Sequence, residues 1–252
     1  MRLVVAGGSG TVGRYVVGAA RQRGHQVVVI SRAEGVDLAT GVGVIEAVEG
    51  ADAIIDVSNH QSLTGGEATT FFTGATARLQ EAGRRAGARQ LVVLSIVGVD
   101  RVPGFGYYQA KLAHERAALD GSFPATVLRA TQFHEFPGQL LQRLHLGPVA
   151  VVPRMSTQTV AARTVGEVLV ELAEGDPVGM AEELAGPEAG DTVDLARRLV
   201  ALRGTRVRVV PAPMLGASAR AMRTGALLPS PGARLAGPTF GAWLAGPDAD
   251  TV

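Results

Sequence analysis

Leu3-Val4-Val5-Ala6-Gly7-Gly8-Ser9-Gly10-Thr11-Val12-Gly13 opens the chain with the pattern that settles its fold class. Four apolar residues suited to a buried strand run straight into a glycine-rich turn. Beyond it, over 12–23, apolar positions recur at the three- and four-residue spacing of a helix. Glycines permit a tight turn, let the backbone come close to a pyrophosphate, and allow the helix to pack hard on the strand. The helix N-terminus then offers unpaired N–H groups and the positive end of its dipole to an anion. Gly7, Gly8, Ser9, Gly10, Thr11, Val12 and Gly13 are therefore read as a phosphate cradle. A bare tight turn is the alternative, but the flanking strand, the helix and a second strand about 20 residues on supply the context the motif needs.

The first half of the chain alternates strand and helix patterns. Residues 3–6, 27–30, 53–57, 91–95 and 126–129 are short β-branched or apolar runs, and 35–37 is expected to add a further short strand. Residues 12–23, 42–48, 71–86 and 107–119 carry the helical period. The pattern predicts an α/β fold, a Rossmann doubly wound parallel sheet, with 1–130 as a cofactor-binding core. Beyond residue 130, prolines from Pro148 to Pro247 break the alternation into shorter elements. Strands are expected at 149–152 and 207–210, helices at 164–173, 192–202 and 240–244. Residues 131–252 are read as a small C-terminal substrate-facing portion of the same domain.

The residues just after the second strand bear on the nucleotide. An acid there would bond both ribose hydroxyls and favour NAD, whereas a basic residue accepts the 2′-phosphate of NADP. The chain has Ser31-Arg32, a donor and a planar fork, so NADP(H) is favoured over NAD(H). Arg32 is also one of many arginines, and Glu34 stands nearby. Asp37-Leu38 follows the expected 35–37 strand; Asp37 suits an adenine amino group or a helix N-cap. Ser58, after the run 53–57, is placed beside the dinucleotide.

Composition narrows the classes. The 252 residues carry a net charge of +1, which gives no field for nucleic acid or membrane. Cysteine is absent, so disulfides, thiolate-bound metals and a cysteine nucleophile are excluded. The histidines lack ligand spacing, no metal site is expected, and the N-terminal apolar run is too short for a signal peptide. A soluble cytoplasmic protein acting on a small molecule is the expectation, with helix faces able to support a homodimer. Of 24 basic residues only Lys111 is lysine. A bias that has made every other position arginine marks Lys111 as a place where arginine fails.

Tyr107 and Lys111 are four residues apart and share a helix face. An ammonium beside a phenol lowers its pKa and readies it as a proton donor, and arginine's spread charge is a poor substitute. Ser95, at the end of the run 91–95, can bond a substrate carbonyl. Tyr108 is the neighbouring alternative to Tyr107.

With these residues in view, the sequence resembles the short-chain dehydrogenase/reductase superfamily, in particular its atypical NmrA-like branch. Residues 5–13, the Leu94-Ser95-Ile96-Val97-Gly98-Val99-Asp100 segment, Tyr107 to Lys111, and Leu128-Arg129-Ala130-Thr131-Gln132-Phe133-His134 carry the resemblance. It implies an NAD(P)-binding Rossmann fold with Ser95, Tyr107 and Lys111 in the catalytic positions. It also implies an alternative, because some NmrA-like members bind dinucleotide, catalyse nothing and act as redox sensors. Thr131, beside the cofactor, and Gln132, Phe133 and His134, on the substrate side, follow the strand 126–129; His134 reads as a proton relay or as a structural hydrogen-bonder. The expected activity is hydride transfer from NADPH to a carbonyl or quinone.

Overall fold

A computed structural model describes residues 1–60, 65–213 and 215–251. The chain forms two compact units. The first comprises Met1–Ile96, Phe105–Arg129 and Arg163–Glu182, and the second Val97–Gly104, Ala130–Ala162 and Glu183–Val252.

The first unit is built on β1 (Arg2–Ala6), α1 (Gly13–Gln22), β2 (Gln26–Ile30), α2 (Val44–Val48), β3 (Ala53–Asp56), α3 (Gly65–Ala86), β4 (Leu91–Ile96), α4 (Gly106–Leu119) and β5 (Ala125–Ala130). The strands lie in the order β2-β1-β3-β4-β5. Leu3 sits opposite Val27 on one side and Ala53 on the other, both pairings parallel. The strands are nearly continuous apolar runs because both faces are covered; Leu3, Val4, Val5, Ile54, Ile55, Leu91 and Val92 are fully buried. Val4, Ile54, Leu79 and Phe123 belong to the core cluster of this unit.

The expected strand at 35–37 does not form. The chain leaves β2 into a single turn of 3₁₀ helix, Arg32–Glu34, closed by Gly35 at φ +77°. The Val36 N–H returns to the Ser31 carbonyl at 3.2 Å. Asp37 caps a tight turn, accepting the Ala39 N–H at 2.8 Å, and does not cap α2. That helix starts at Val44, later than expected, because Gly41 and Gly43 are left-handed at φ +90° and +73°. With no strand at 35–37, the chain crosses directly from β2 on one side of β1 to β3 on the other. The topological switch point, where ligands bind in open α/β sheets, is thus the gap between β1 and β3.

Helix α3 begins six residues before the apolar pattern does. Thr69, Thr70 and Thr73 return their hydroxyls to carbonyls four residues back, at 2.8, 3.1 and 2.9 Å, so polar side chains line a genuine helix. Helix Ala162–Glu174 is also part of this unit from Arg163 onward, and a Cβ on its Gly166 would lie 2.8 Å from the Val16 nitrogen of α1.

The second unit has a three-stranded sheet of His145–Leu146, Val149–Pro153 and Arg208–Ala212, the last two parallel. Helices Phe136–Arg143 and Thr192–Leu202 pack there around Ala150, Val152, Val193 and Ala196. The expected closing helix is present as Phe240–Leu244. Among the described residues no helix is long and apolar enough to cross a membrane.

Candidate dinucleotide site

The glycine turn closes on itself. Gly7 donates to the Ile30 carbonyl at 3.0 Å, and Gly10 to the Gly7 carbonyl at 3.0 Å. Gly7 has φ +79°, and a Cβ there would lie 2.7 Å from the Ser58 Cα. A Cβ on Gly13 would lie 2.1 Å from the Gly7 oxygen, and one on Gly8 would lie 2.9 Å from a Val29 methyl. Each of these positions admits only hydrogen. Helix α1 begins at Gly13 with Val12 before it and no side-chain cap, leaving its dipole end to an outside anion. Ser9 and Gly10 are exposed at the rim. A second observation fits a ligand here: the Ser58 hydroxyl, at the end of β3 against Gly7, is buried and has no hydrogen-bond partner. The cradle and the orphan hydroxyl flank the switch point from its two sides, where open α/β sheets bind ligands.

At the end of β2 the Arg32 guanidinium is exposed and makes no hydrogen bond or ion pair among the described residues, and Ser31 makes no cap bond. Leu38 is buried in the core cluster behind this turn.

Helix α4 carries two separate polar networks. Lys111 is buried; its ammonium donates to the Leu94 carbonyl at 2.8 Å and to His114 Nδ1 at 2.9 Å, with the Phe72 ring centroid 4.6 Å away. His114 Nε2 lies 3.2 Å from Asp56 Oδ2, and the other Asp56 oxygen accepts the Ser58 N–H at 2.8 Å. The Phe72 ring stacks on His114 at 4.9 Å. Burial pulls the Lys111 ammonium down to about 8 against the opposing pull of Asp56 and Glu115. Burial and Lys111 push the His114 pKa down, so the imidazole is neutral and takes its proton on Nε2 facing Asp56. In the second network Ser95 donates to Glu115, whose carboxylate also receives Arg129 through two bonds of 2.9 and 2.7 Å.

Tyr107 stands apart from both. Its hydroxyl donates to Asn59 Oδ1 at 2.8 Å, and burial raises the phenol to about 12. The lowering expected from a neighbouring ammonium is not found, because Lys111 spends its hydrogen bonds on Leu94 and His114. Tyr108 is buried and packs edge-on against Phe105 at 4.8 Å, and the Tyr107 hydroxyl reaches Asn59 in the loop after β3.

Residues 3–99 match the model of the NAD dependent epimerase/dehydratase family. The structure resembles a short-chain dehydrogenase/reductase superfamily protein from Agrobacterium tumefaciens with bound NAD, at a TM-score of 0.70 and 20% identity, covering 100% of this chain and 97% of that one. The two chains share a fold. A nucleoside-diphosphate-sugar epimerase from Staphylococcus aureus shares this fold at a TM-score of 0.71 and 14% identity, over 98% and 100% of the two chains. The chloroplastic divinyl chlorophyllide a 8-vinyl-reductase of Oryza sativa subsp. indica is 30% identical over 175 residues, 58% of this chain; the chain spans 43% of that relative's length.

In the second unit the residues after β5 are tied down. Thr131 donates its hydroxyl to the Gln158 carbonyl at 2.6 Å, and Gln132 accepts from Thr157 at 2.7 Å. Phe133 forms an isolated parallel bridge to Val160. His134, 1% exposed, pairs Nδ1 with the Thr159 hydroxyl at 2.8 Å and Nε2 with the Pro238 carbonyl at 3.0 Å. Burial pulls its pKa down to about 4. Both ring nitrogens are occupied, so His134 holds the segment in place, and Gln132 and Phe133 beside it are half-buried.

Sequence reasoning placed Asn59 with Ser58 at the strand end and gave no role to Asp56, His114, Glu115 or Arg129. The available signals were an acid closing an apolar strand at 53–56 and a histidine three residues beyond the lone lysine, on its helix face.

Proposed function

We propose that the chain is an NADPH-dependent oxidoreductase that reduces a carbonyl or quinone of a small organic molecule. The observation that carries this is the burial of the only lysine, charge-paired through His114 and Asp56, on the helix whose Tyr107 hydroxyl reaches the loop beside the glycine cradle. The bound nicotinamide supplies the hydride. Gly7 to Gly13 and Ser58 hold the dinucleotide, Ser31 and Arg32 take a 2′-phosphate, and Asp37 and Leu38 border it. Tyr107, protonated at every physiological pH, donates the proton to the substrate oxygen. Lys111 uses two of its three N–H bonds internally, and the third is directed to a ribose hydroxyl. Ser95 orients the carbonyl by exchanging its bond to Glu115 for one to substrate.

One observation favours a second reading, a dinucleotide-binding redox sensor of the NmrA-like kind: in the free protein no cation acts on Tyr107. The two readings separate on NADPH absorbance across a panel of ketones and quinones. Under the first, Tyr107→Phe abolishes turnover and leaves NADPH affinity within about twofold, because only the hydroxyl is lost. Equal turnover in that variant overturns the catalytic assignment, and tight NADPH binding with no oxidation by any panel member selects the sensor. The cofactor preference has its own test. Arg32→Ala weakens NADPH by roughly tenfold or more, the loss of a charge-assisted pair, and leaves NADH nearly unchanged.

A further inference from the structure

We propose that His114 and Asp56 form a positioning relay for Lys111, setting the place of its ammonium and, through the Asp56 carboxylate, keeping it charged at neutral pH. The inference deepens the reading of Lys111 given above and rests on it for its catalytic consequence. The relay itself stands on geometry. Lys111 Nζ, His114 and Asp56 form a continuous chain of hydrogen bonds of 2.9 and 3.2 Å, all within the buried interior of the first unit. Its far end is fixed to the backbone, since Asp56 Oδ1 receives the Ser58 N–H, and Ser58 abuts Gly7. The near end is on α4. Ammonium and phosphate cradle are thus tied to the same strand end.

Donor counting gives the direction. A protonated Lys111 can only donate, so His114 Nδ1 accepts, the imidazole proton is on Nε2, and Nε2 donates to Asp56. Asp56 is 1% exposed and its other oxygen is held by Ser58, so the chain of bonds ends inside the protein. It holds charge in place. The groups facing the ammonium are Leu94 from β4, the Phe72 ring from α3, His114 and Glu115 from α4, and Asp56 from β3. Of the two acids, Glu115 is already neutralised by a two-bond pair with Arg129. Asp56 has no cation besides the one it reaches through His114. Burial opposes the ammonium's charge and Asp56 is the largest influence restoring it, leaving a midpoint of about 8.

Because Lys111 is the only lysine, the test is direct. Protein labelled with ¹³C at the lysine ε carbon gives one resonance, and its shift with pH reads the ammonium midpoint without any substrate. The parent is expected near 8. Asp56→Asn keeps the shape of the carboxylate and removes its charge; the midpoint falls by roughly one unit or more. His114→Phe keeps the ring stacked on Phe72 and removes the acceptor, and is expected to lower the midpoint as well. A midpoint unmoved, within roughly 0.3 units, in folded Asp56→Asn overturns the relay; if His114→Phe does not fold, Asp56→Asn decides alone. Turnover adds the functional arm: in Asp56→Asn kcat at pH 7.5 falls and recovers on acidification while NADPH affinity holds. If the resonance moves but kcat does not, the relay acts on the lysine and the catalytic reading of Lys111 fails. If neither variant moves the resonance while Lys111→Ala still abolishes turnover, the relay fails and the catalytic reading stands.

Discussion

Two histidines in this protein are equally buried and do different work. His114, in the first unit, lies between an ammonium and a carboxylate; His134, in the second, lies between a threonine hydroxyl and a proline carbonyl. Both are neutral, and burial is the largest cause in each case. Their surroundings set what a change in either can reach. A histidine between charges transmits electrostatics, so altering it changes the protonation of Lys111. A histidine between neutral groups transmits only position, so altering it loosens residues 131–134 and 159–160 and the start of helix Phe240–Leu244.

The contrast is disrupted most severely at Phe72, whose ring supports His114 and Lys111 together. Phe72→Ala is expected to cost about 3–5 kcal/mol in urea unfolding, as loss of a fully buried aromatic ring does, and to move the lysine resonance. A change near His134 moves stability and leaves that resonance in place. The pH dependence separates the two histidines through a smaller effect. An unfolded imidazole takes up a proton below about 6.5, while folded His134 resists until about 4. Its folded pKa is lowered, so stability falls as pH drops from 6.5 toward 4, by up to about 3 kcal/mol. His134→Gln should flatten that part of the acid limb measured by thermal unfolding across pH 4–7; an unchanged limb would assign the acid sensitivity to His114 and Asp56 instead.

Much of the first unit is legible in the residues. The apolar runs at 3–6, 27–30, 53–57, 91–95 and 126–129 each form a strand within a residue or two, because strands buried on both faces leave a composition that needs no partner to interpret. The failures come where glycine governs the backbone. Gly35 turns an apparent strand into a closed turn, and the left-handed Gly41 and Gly43 delay α2; a glycine's φ is set by its neighbours in space and not by its letter. The apolar pattern makes helix α3 too short because threonine reads as a strand residue until its hydroxyl is seen returning to the helix carbonyls.

The candidate site divides in the same way. Local order is enough for the glycine cradle, the basic residue after β2, and the four-residue spacing of Tyr107 and Lys111, since each depends on one turn or one helix face. The contacts of those side chains come from the tertiary fold alone. It brings Asp56 from β3, 55 positions earlier in the chain, to within one imidazole of Lys111, turns Ser95 onto Glu115, and gives the Tyr107 hydroxyl to Asn59. Spacing along a helix fixes which side chains can be neighbours. Which hydrogen bonds they form is settled by the buried donors and acceptors that other strands deliver to the same place, because in a dry interior each such group must find a partner.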